Sequence, residues 1–290
     1  MIGLLDADSH NFPNLTLMKI SAFYKKHNEK VVWYNIFDKF DKVFVSKVFS
    51  FSDFKHKLLN AEEIIKGGTG FDLENKLSEN IEKSFPDYSI YNISDTAYGF
   101  LTRGCPRQCP FCIVSEKEGD RSIKVADLSD FWNGQKYIKL LDPNILASSE
   151  KYNLLQQLID SKAKIDFTQG LNARMLTEKS IEYIKKIKVE RLHFAWDGVK
   201  DSEKILKNLI NFKKETSWHY SKLGVYVLVN YDTDFDFDVY RVKKLKEIGF
   251  DPYVMIFEKD NCNKIYKDLQ RYTNNKIIFR SSEWENYNKI

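Results

Sequence analysis

Three of the four cysteines fall within eight residues, in Thr102-Arg-Gly-Cys105-Pro-Arg-Gln-Cys109-Pro-Phe-Cys112. The spacing is Cys-x3-Cys-x2-Cys. Thiolates bunched in this way favour zinc or an iron–sulfur cluster over hard cations. A disulfide framework would instead spread its cysteines along a short secreted chain. A structural zinc site wants four protein ligands, often as two separated pairs. There is no second pair here, and His193 and His219 lie far off in sequence. Three thiolates can hold three irons of a cubane and leave the fourth open to a small molecule. Gly104 and the two prolines suit a fixed, tightly turning loop. Zinc and a chance grouping stay open at this point. Cys262 stands alone and reads as an incidental thiol.

The elements that must position this loop come in two series. The first covers residues 1–90. Apolar or β-branched runs at 1–7, 30–34, 43–48 and 63–66 read as strands. Residues 15–27 carry apolar side chains at helical spacing, with Asn14 as N-cap. Residues 54–59 read as a short helix. Strands alternating with helices pair in parallel through right-handed crossovers, which predicts a small doubly wound domain. Residues 85–95, with Pro86 and several turn formers, read as a linker. The second series covers residues 91–290. Its strands fall at 97–101, 138–141, 164–168, 191–195, 224–229 and 253–257. Helices are expected at 128–132, 150–162, 178–186, 202–213 and 239–248. Six such repeats predict a partial (β/α)6 barrel of the TIM type, where eight would close a full one. The tail reads as a helix at 265–274 and a strand-like piece at 277–279. The fold class is therefore α/β in both parts.

Cys-x3-Cys-x2-Cys directly after the first strand of the second series resembles the radical S-adenosylmethionine superfamily. Phe111 before the third cysteine matches that pattern as well. Arg-Gly-Cys-Pro-x-x-Cys-x-x-Cys is especially similar to the branch with an N-terminal cobalamin-binding domain. The resemblance implies that Cys105, Cys109 and Cys112 ligate three irons of a [4Fe-4S] cluster. It implies that the amino and carboxylate groups of S-adenosylmethionine chelate the fourth iron. One-electron reduction would then cleave the sulfonium and give a 5′-deoxyadenosyl radical that abstracts hydrogen from a substrate. The electron would come from an external donor such as flavodoxin or ferredoxin. A second cysteine cluster is absent from the sequence, so no auxiliary cluster is expected.

Polar residues at the ends of the later strands are the candidate cofactor contacts, because barrel sites are built at the C-terminal ends of strands. Asp142 and Asn144, in Leu140-Leu-Asp-Pro-Asn, would suit an ammonium group; a simple Asp-Pro-Asn turn competes with that reading. Gln169, Asn172 and Arg174 would hold substrate or the cofactor carboxylate, with loop capping or a surface ion pair as the alternative. Asp197 would meet ribose hydroxyls, or begin a helix. The segment from Asn230 to Thr233 carries the same ambiguity.

The first series has a second resemblance. Asp8-Ser-His10-Asn-Phe-Pro13, then Ser46-Lys-Val48, then Gly67-Gly68 resemble the motifs of cobalamin-binding domains. That resemblance implies His10 as a cobalt ligand. Pro13 stands where glycine is expected and Val48 where leucine is. A cobalamin-like fold is therefore expected ahead of bound cobalamin. Gly67-Gly-Thr-Gly70 lacks the Lys-Ser/Thr of a phosphate loop and reads as a turn.

The 290 residues carry a net charge of +4, with basic and acidic residues interleaved. Such a pattern is a solvated surface and does not by itself indicate nucleic acid as a partner. No apolar run reaches the roughly 18–20 residues of a membrane span. With no secretory signal, a cytoplasmic enzyme is the expectation. The competing function is a non-catalytic iron–sulfur or zinc protein acting as an adaptor for nucleic acid or protein.

Overall fold

The computed structural model describes residues 1–8, 12–52, 54 and 58–287. His10 lies outside the described residues. The chain begins with strand β1 (Ile2–Asp6) and helix α1 (Leu15–Lys26), followed by β2 (Val31–Trp33), β3 (Phe40–Ser46) and β4 (Ala61–Gly67). These four strands form one parallel sheet in the order β2-β1-β3-β4. Asn14 caps α1 as expected, its Oδ1 accepting from the Leu17 N–H at 3.2 Å. The apolar face of α1 meets the sheet: Leu17 and Ile20 pack with Ile2, Leu4 and Phe44. Val43, Val45 and Phe40 fill the opposite side. The expected helix at 54–59 does not form at Phe54, Leu58 or Leu59; the rest of that stretch lies outside the described residues. Short helix α2 (Glu79–Glu82) follows β4.

The expected linker at 85–95 is a packed connection. Tyr88–Tyr91 form a 3-10 turn, and Tyr88 is buried. Its hydroxyl donates to Phe131 O at 2.6 Å and accepts from the Tyr98 N–H at 3.0 Å. Towards the first sheet, Tyr91 donates to Asp6 Oδ2 at 2.7 Å, and Trp33 Nε1 donates to Ile90 O at 3.0 Å. The aromatics among the turn residues decide this, because they bury area that a solvated linker would leave in water.

The second sheet starts with β5 (Thr96–Gly99). A two-stranded antiparallel ribbon follows, β6 (Thr102–Arg103) with β7 (Ile123–Lys124), enclosing helix α3 (Val114–Glu118). Then come β8 (Tyr137–Leu140), α4 (Lys151–Ser161), β9 (Lys164–Leu171), α5 (Glu178–Lys186), β10 (Val189–Ala195), α6 (Ser202–Thr216), β11 (Leu223–Val229), α7 (Phe235–Glu247) and β12 (Asp251–Ile256). The six main strands are all parallel and stand in the order β12-β11-β10-β9-β8-β5. Spatial order therefore equals chain order, and the edges are β5 and β12. This is an α/β architecture compatible with a TIM-like or Rossmann-like fold. The expected helix at 128–132 is only a 3-10 turn, Leu128–Asp130.

Alternation along each strand builds the core. Ile138, Leu140, Ile165, Phe167, Leu192, Phe194, Val225 and Val227 are buried with Leu154, Leu158, Ile184, Leu209 and Leu245 of the helices. The chain ends in α8 (Lys264–Asn274), α9 (Lys276–Ser281) and α10 (Trp284–Tyr287). The strand-like piece expected at 277–279 is thus helical. Asn275 caps it through the Ile278 N–H at 3.2 Å, and Phe279 is fully buried on Tyr272. No helix among the described residues is long and apolar enough to cross a membrane.

Candidate functional site

The three cysteines lie in the loop that leaves β6 and enters α3. Ribbon β6–β7 and α3 make the frame of this loop, and neither was expected from the sequence. Gly104 begins it at φ +82°. A Cβ there would sit 2.1 Å from Arg121 O, so only glycine lets the two sides of the ribbon approach. The Cys105 N–H donates to Gly119 O at 3.0 Å, and the Cys112 N–H donates to Cys109 O at 2.9 Å. Glu118 closes the base, pairing with Arg103 Nη1 at 2.9 Å. Arg103 also reaches Glu82 on α2 at 3.4 Å, tying the loop to that helix.

Phe111 turns the loop over the C-terminal ends of the strands. Its ring meets Tyr231, after β11, at 5.0 Å and 73°. Tyr231 in turn meets Phe257, after β12, at 4.8 Å. All three cysteines are free thiols. Two receive side-chain N–H groups: Arg107 Nε donates to Cys109 Sγ at 3.3 Å, and Asn144 Nδ2 to Cys105 Sγ at 3.4 Å. Burial, assisted by the neighbouring thiols and Asp197, raises the Cys112 pKa. Among the described residues no three His, Cys, Asp or Glu side chains already converge as a metal site. The donor set nevertheless fits a thiolate-bound cluster: three unpaired thiols on one loop, two of them facing N–H donors that suit coordinated sulfur. Arg107 was not singled out by the sequence. Its position inside the motif was the available signal.

The expected polar residues take different stations. Asp142, at the end of β8, is buried. Its carboxylate accepts the Leu101 N–H at 3.1 Å, the Thr102 N–H at 2.5 Å and the Thr102 hydroxyl at 2.7 Å. It therefore fixes the segment that launches the cysteine loop. Burial lifts its pKa to about 6 against the pull of those donors. Asn144 is also buried, and its Oδ1 has no partner. Its carbonyl accepts from Ser122 Oγ at 2.8 Å, joining β8 to the ribbon.

Strand β9 carries a register irregularity against β10, with Gly170 at φ +92°. Gln169 lies within it and faces solvent. Asn172 caps the next turn, its Oδ1 accepting from the Arg174 N–H at 3.2 Å. Arg174 donates from Nε to Asp201 Oδ2 at 2.9 Å and from Nη2 to Lys200 O at 3.5 Å. Asp197, after β10, is half-buried. Burial raises its pKa, while Arg107, Arg174 and Arg241 oppose that rise. Cys112, Arg107, Asp197 and Arg174 thus share one electrostatic neighbourhood.

Two supports beneath the site were not legible in sequence. Arg241 and Asp238 of α7 are fully buried and paired. Arg241 donates to Trp196 O and to Leu228 O, the latter at 2.7 Å, and Asp238 Oδ2 accepts the Asn230 N–H at 3.1 Å. This pair clamps the ends of β10 and β11. On the sheet face away from α4–α7, His193 stacks on Tyr226 with centroids 4.7 Å apart. Its Nε2 accepts from Arg191 Nε at 3.1 Å, which leaves the proton on Nδ1, 3.4 Å from Phe167 O. Burial, then Arg191, depresses its pKa to about 4.

In the first sheet, Asp8 accepts the Val48 and Phe49 N–H groups at 2.5 and 3.1 Å. Ser46 Oγ accepts from Asn14 at 2.8 Å. A Cβ on Gly68 would lie 2.3 Å from Lys47 O. That glycine serves close contact within the chain itself.

The fold and site define an α/β protein with a three-thiol loop at the C-terminal end of a sequentially ordered parallel sheet. The chain is similar to a tRNA-2-methylthio-N(6)-dimethylallyladenosine synthase of Sulfurihydrogenibium sp. (strain YO3AOP1). The two are 26% identical over 185 residues, covering 54% of this chain and 41% of that protein. The chain therefore spans about two fifths of the curated relative it matches. No protein-family profile matches the chain.

Proposed function

We propose that this chain is a radical S-adenosylmethionine enzyme whose Cys105, Cys109 and Cys112 hold three irons of a [4Fe-4S] cluster. The observation that carries the proposal is the placement of three free thiols on one braced loop at the C-terminal end of the six-stranded sheet. The distant similarity to a tRNA-2-methylthio-N(6)-dimethylallyladenosine synthase, an enzyme by its name, supports it and does not favour a non-catalytic adaptor. When bound, such a cluster supplies the electron that cleaves the sulfonium of S-adenosylmethionine.

The chain's own residues bind and orient. Asn144 Oδ1, buried and unpartnered, is the acceptor best suited to the ammonium of S-adenosylmethionine. Asp142 acts one step back, holding Leu101 and Thr102. Asp197 is the candidate for ribose hydroxyls. Arg174 is engaged with Asp201, so it would turn to a cofactor carboxylate only by releasing that pair. Gln169 and Asn172 remain candidates for substrate. The relative's name makes tRNA the first substrate class to try. Only Cys262 lies outside the motif, so a second cysteine-held cluster is not expected within this chain. An external donor such as flavodoxin or ferredoxin would deliver the electron. The first sheet serves as a cobalamin-like scaffold in this reading, with the His10–cobalt bond left to a spectral titration.

The test is anaerobic reconstitution with iron and sulfide, then reduction in the presence of S-adenosylmethionine. About four irons per chain and 5′-deoxyadenosine formation that vanishes in Cys105→Ala are expected. Zinc without sulfide, or a full cluster that neither binds nor cleaves S-adenosylmethionine, would remove the proposal.

A further inference from the structure

Arg107 and Asn144 each donate to a sulfur of the cysteine loop. Arg107 belongs to the loop itself, between Cys105 and Cys109. Asn144 comes from the end of β8. Each places one N–H on a different thiol sulfur, at 3.3 and 3.4 Å. The two donors are held in different ways. Asn144 is buried, with its backbone carbonyl tied to Ser122. Arg107 is partly buried beside Asp197 and Arg174, and no further hydrogen bond or ion pair engages its guanidinium among the described residues.

These contacts have a physical consequence for a thiolate-bound cluster. Adding an electron puts more negative charge on the sulfurs. A donor aimed at a coordinating sulfur stabilises the reduced form more than the oxidised one, and so raises the reduction potential. A positive charge on the donor adds to this effect. Only the difference in this bond between the two redox states counts here.

We propose that Arg107 and Asn144 set the reduction potential of the cluster through their N–H···S bonds to Cys109 and Cys105, with Arg107 the stronger because it is charged. This inference rests on the cluster reading of the three cysteines and adds two residues that control its redox state. The electron itself comes from an external one-electron donor; neither residue is oxidised or reduced.

The test is potentiometry followed by electron paramagnetic resonance, on full-length reconstituted protein with dithionite as reductant and without S-adenosylmethionine. Wild type, Arg107→Met, Arg107→Lys and Asn144→Leu are compared at equal iron and sulfide content. Both apolar variants move to lower potential. At the wild-type midpoint, the ratio of reduced to oxidised cluster falls about tenfold in Arg107→Met, a one-electron shift of about 59 mV. Arg107→Lys, which keeps the charge without the fixed N–H, falls between wild type and Arg107→Met. Unchanged midpoints in Arg107→Met and Asn144→Leu, each with a full cluster, overturn the inference and leave the cluster reading intact. Wild type that takes up no iron and sulfide overturns both. Should Arg107→Met assemble no cluster, wild type grown with 15N-arginine decides the Arg107 contact. A 15N coupling to the reduced cluster in pulsed resonance is expected, and its absence overturns the role of Arg107.

Discussion

Asp142 Oδ1 accepts both the backbone N–H and the side-chain hydroxyl of Thr102, at 2.5 and 2.7 Å, across forty residues of sequence. The bond pins the start of the cysteine loop to the end of β8. The buried carboxylate carries a pKa of about 6, above its ordinary value of 3.8. The folded chain therefore binds a proton there that the unfolded chain has already lost between about pH 4 and 6. Its contribution to stability is greatest at low pH and is lost as pH rises through that window. The stability of wild type minus that of Asp142→Asn should fall by at most about 3 kcal/mol from pH 4 to 6, then level off. Urea denaturation at stepped pH checks this, and a difference that grows with pH refutes it.

His193 runs the other way in nearly the same window. Its folded pKa of about 4 lies below the ordinary 6.5, because burial and then Arg191 disfavour the imidazolium. The unfolded chain takes the proton first as pH falls. The neutral stack on Tyr226 is thus fully stable above pH 6.5 and weakens towards pH 4. His193→Gln should erase about 3 kcal/mol of pH dependence between those limits. Titration of the His193 ring by NMR, showing an ordinary pKa, would contradict it.

Arg241 and Asp238 make a buried ion pair that also satisfies backbone groups of Trp196, Leu228 and Asn230. Removing one partner leaves a buried charge alone, at a cost of about 3–5 kcal/mol. Arg241→Met and Asp238→Leu should each destabilise by that amount. The double variant should be much less damaged than the sum, because no charge is stranded. Equal additivity in chemical denaturation would show that the two act separately.

Gly104→Ala places a Cβ against Arg121 O on a backbone with φ +82°. The expected result is a loss of more than about 1 kcal/mol, together with iron uptake well below wild type. Full iron uptake with wild-type stability would mean that the ribbon can open without cost.

The sequence alone determined the alternation of strands and helices in the second series, because period-2 and period-3.6 patterns are local properties of the chain. In the first sheet only α1 stands between strands among the described residues, so the doubly wound arrangement expected there is not formed. It placed all four strands of the first sheet, all six of the second, and α1 and α5 nearly to the residue. It also located the three thiols, since their spacing and loop chemistry need no long-range contact. Tertiary structure decided the rest. Residues 85–95 carry turn formers, yet Tyr88, through the Tyr98 N–H, and Ile90 and Tyr91, through Trp33 and Asp6, anchor them to both sheets. Residues 277–279 have strand-like composition, yet the Asn275 cap and the burial of Phe279 make them helical. The partners of Asp142, Asn144 and Arg241 lie up to 45 residues away. A side chain's type shows what it can bond. Which atoms come within 3 Å of it is set by how distant strands are brought into register, and no local pattern encodes that.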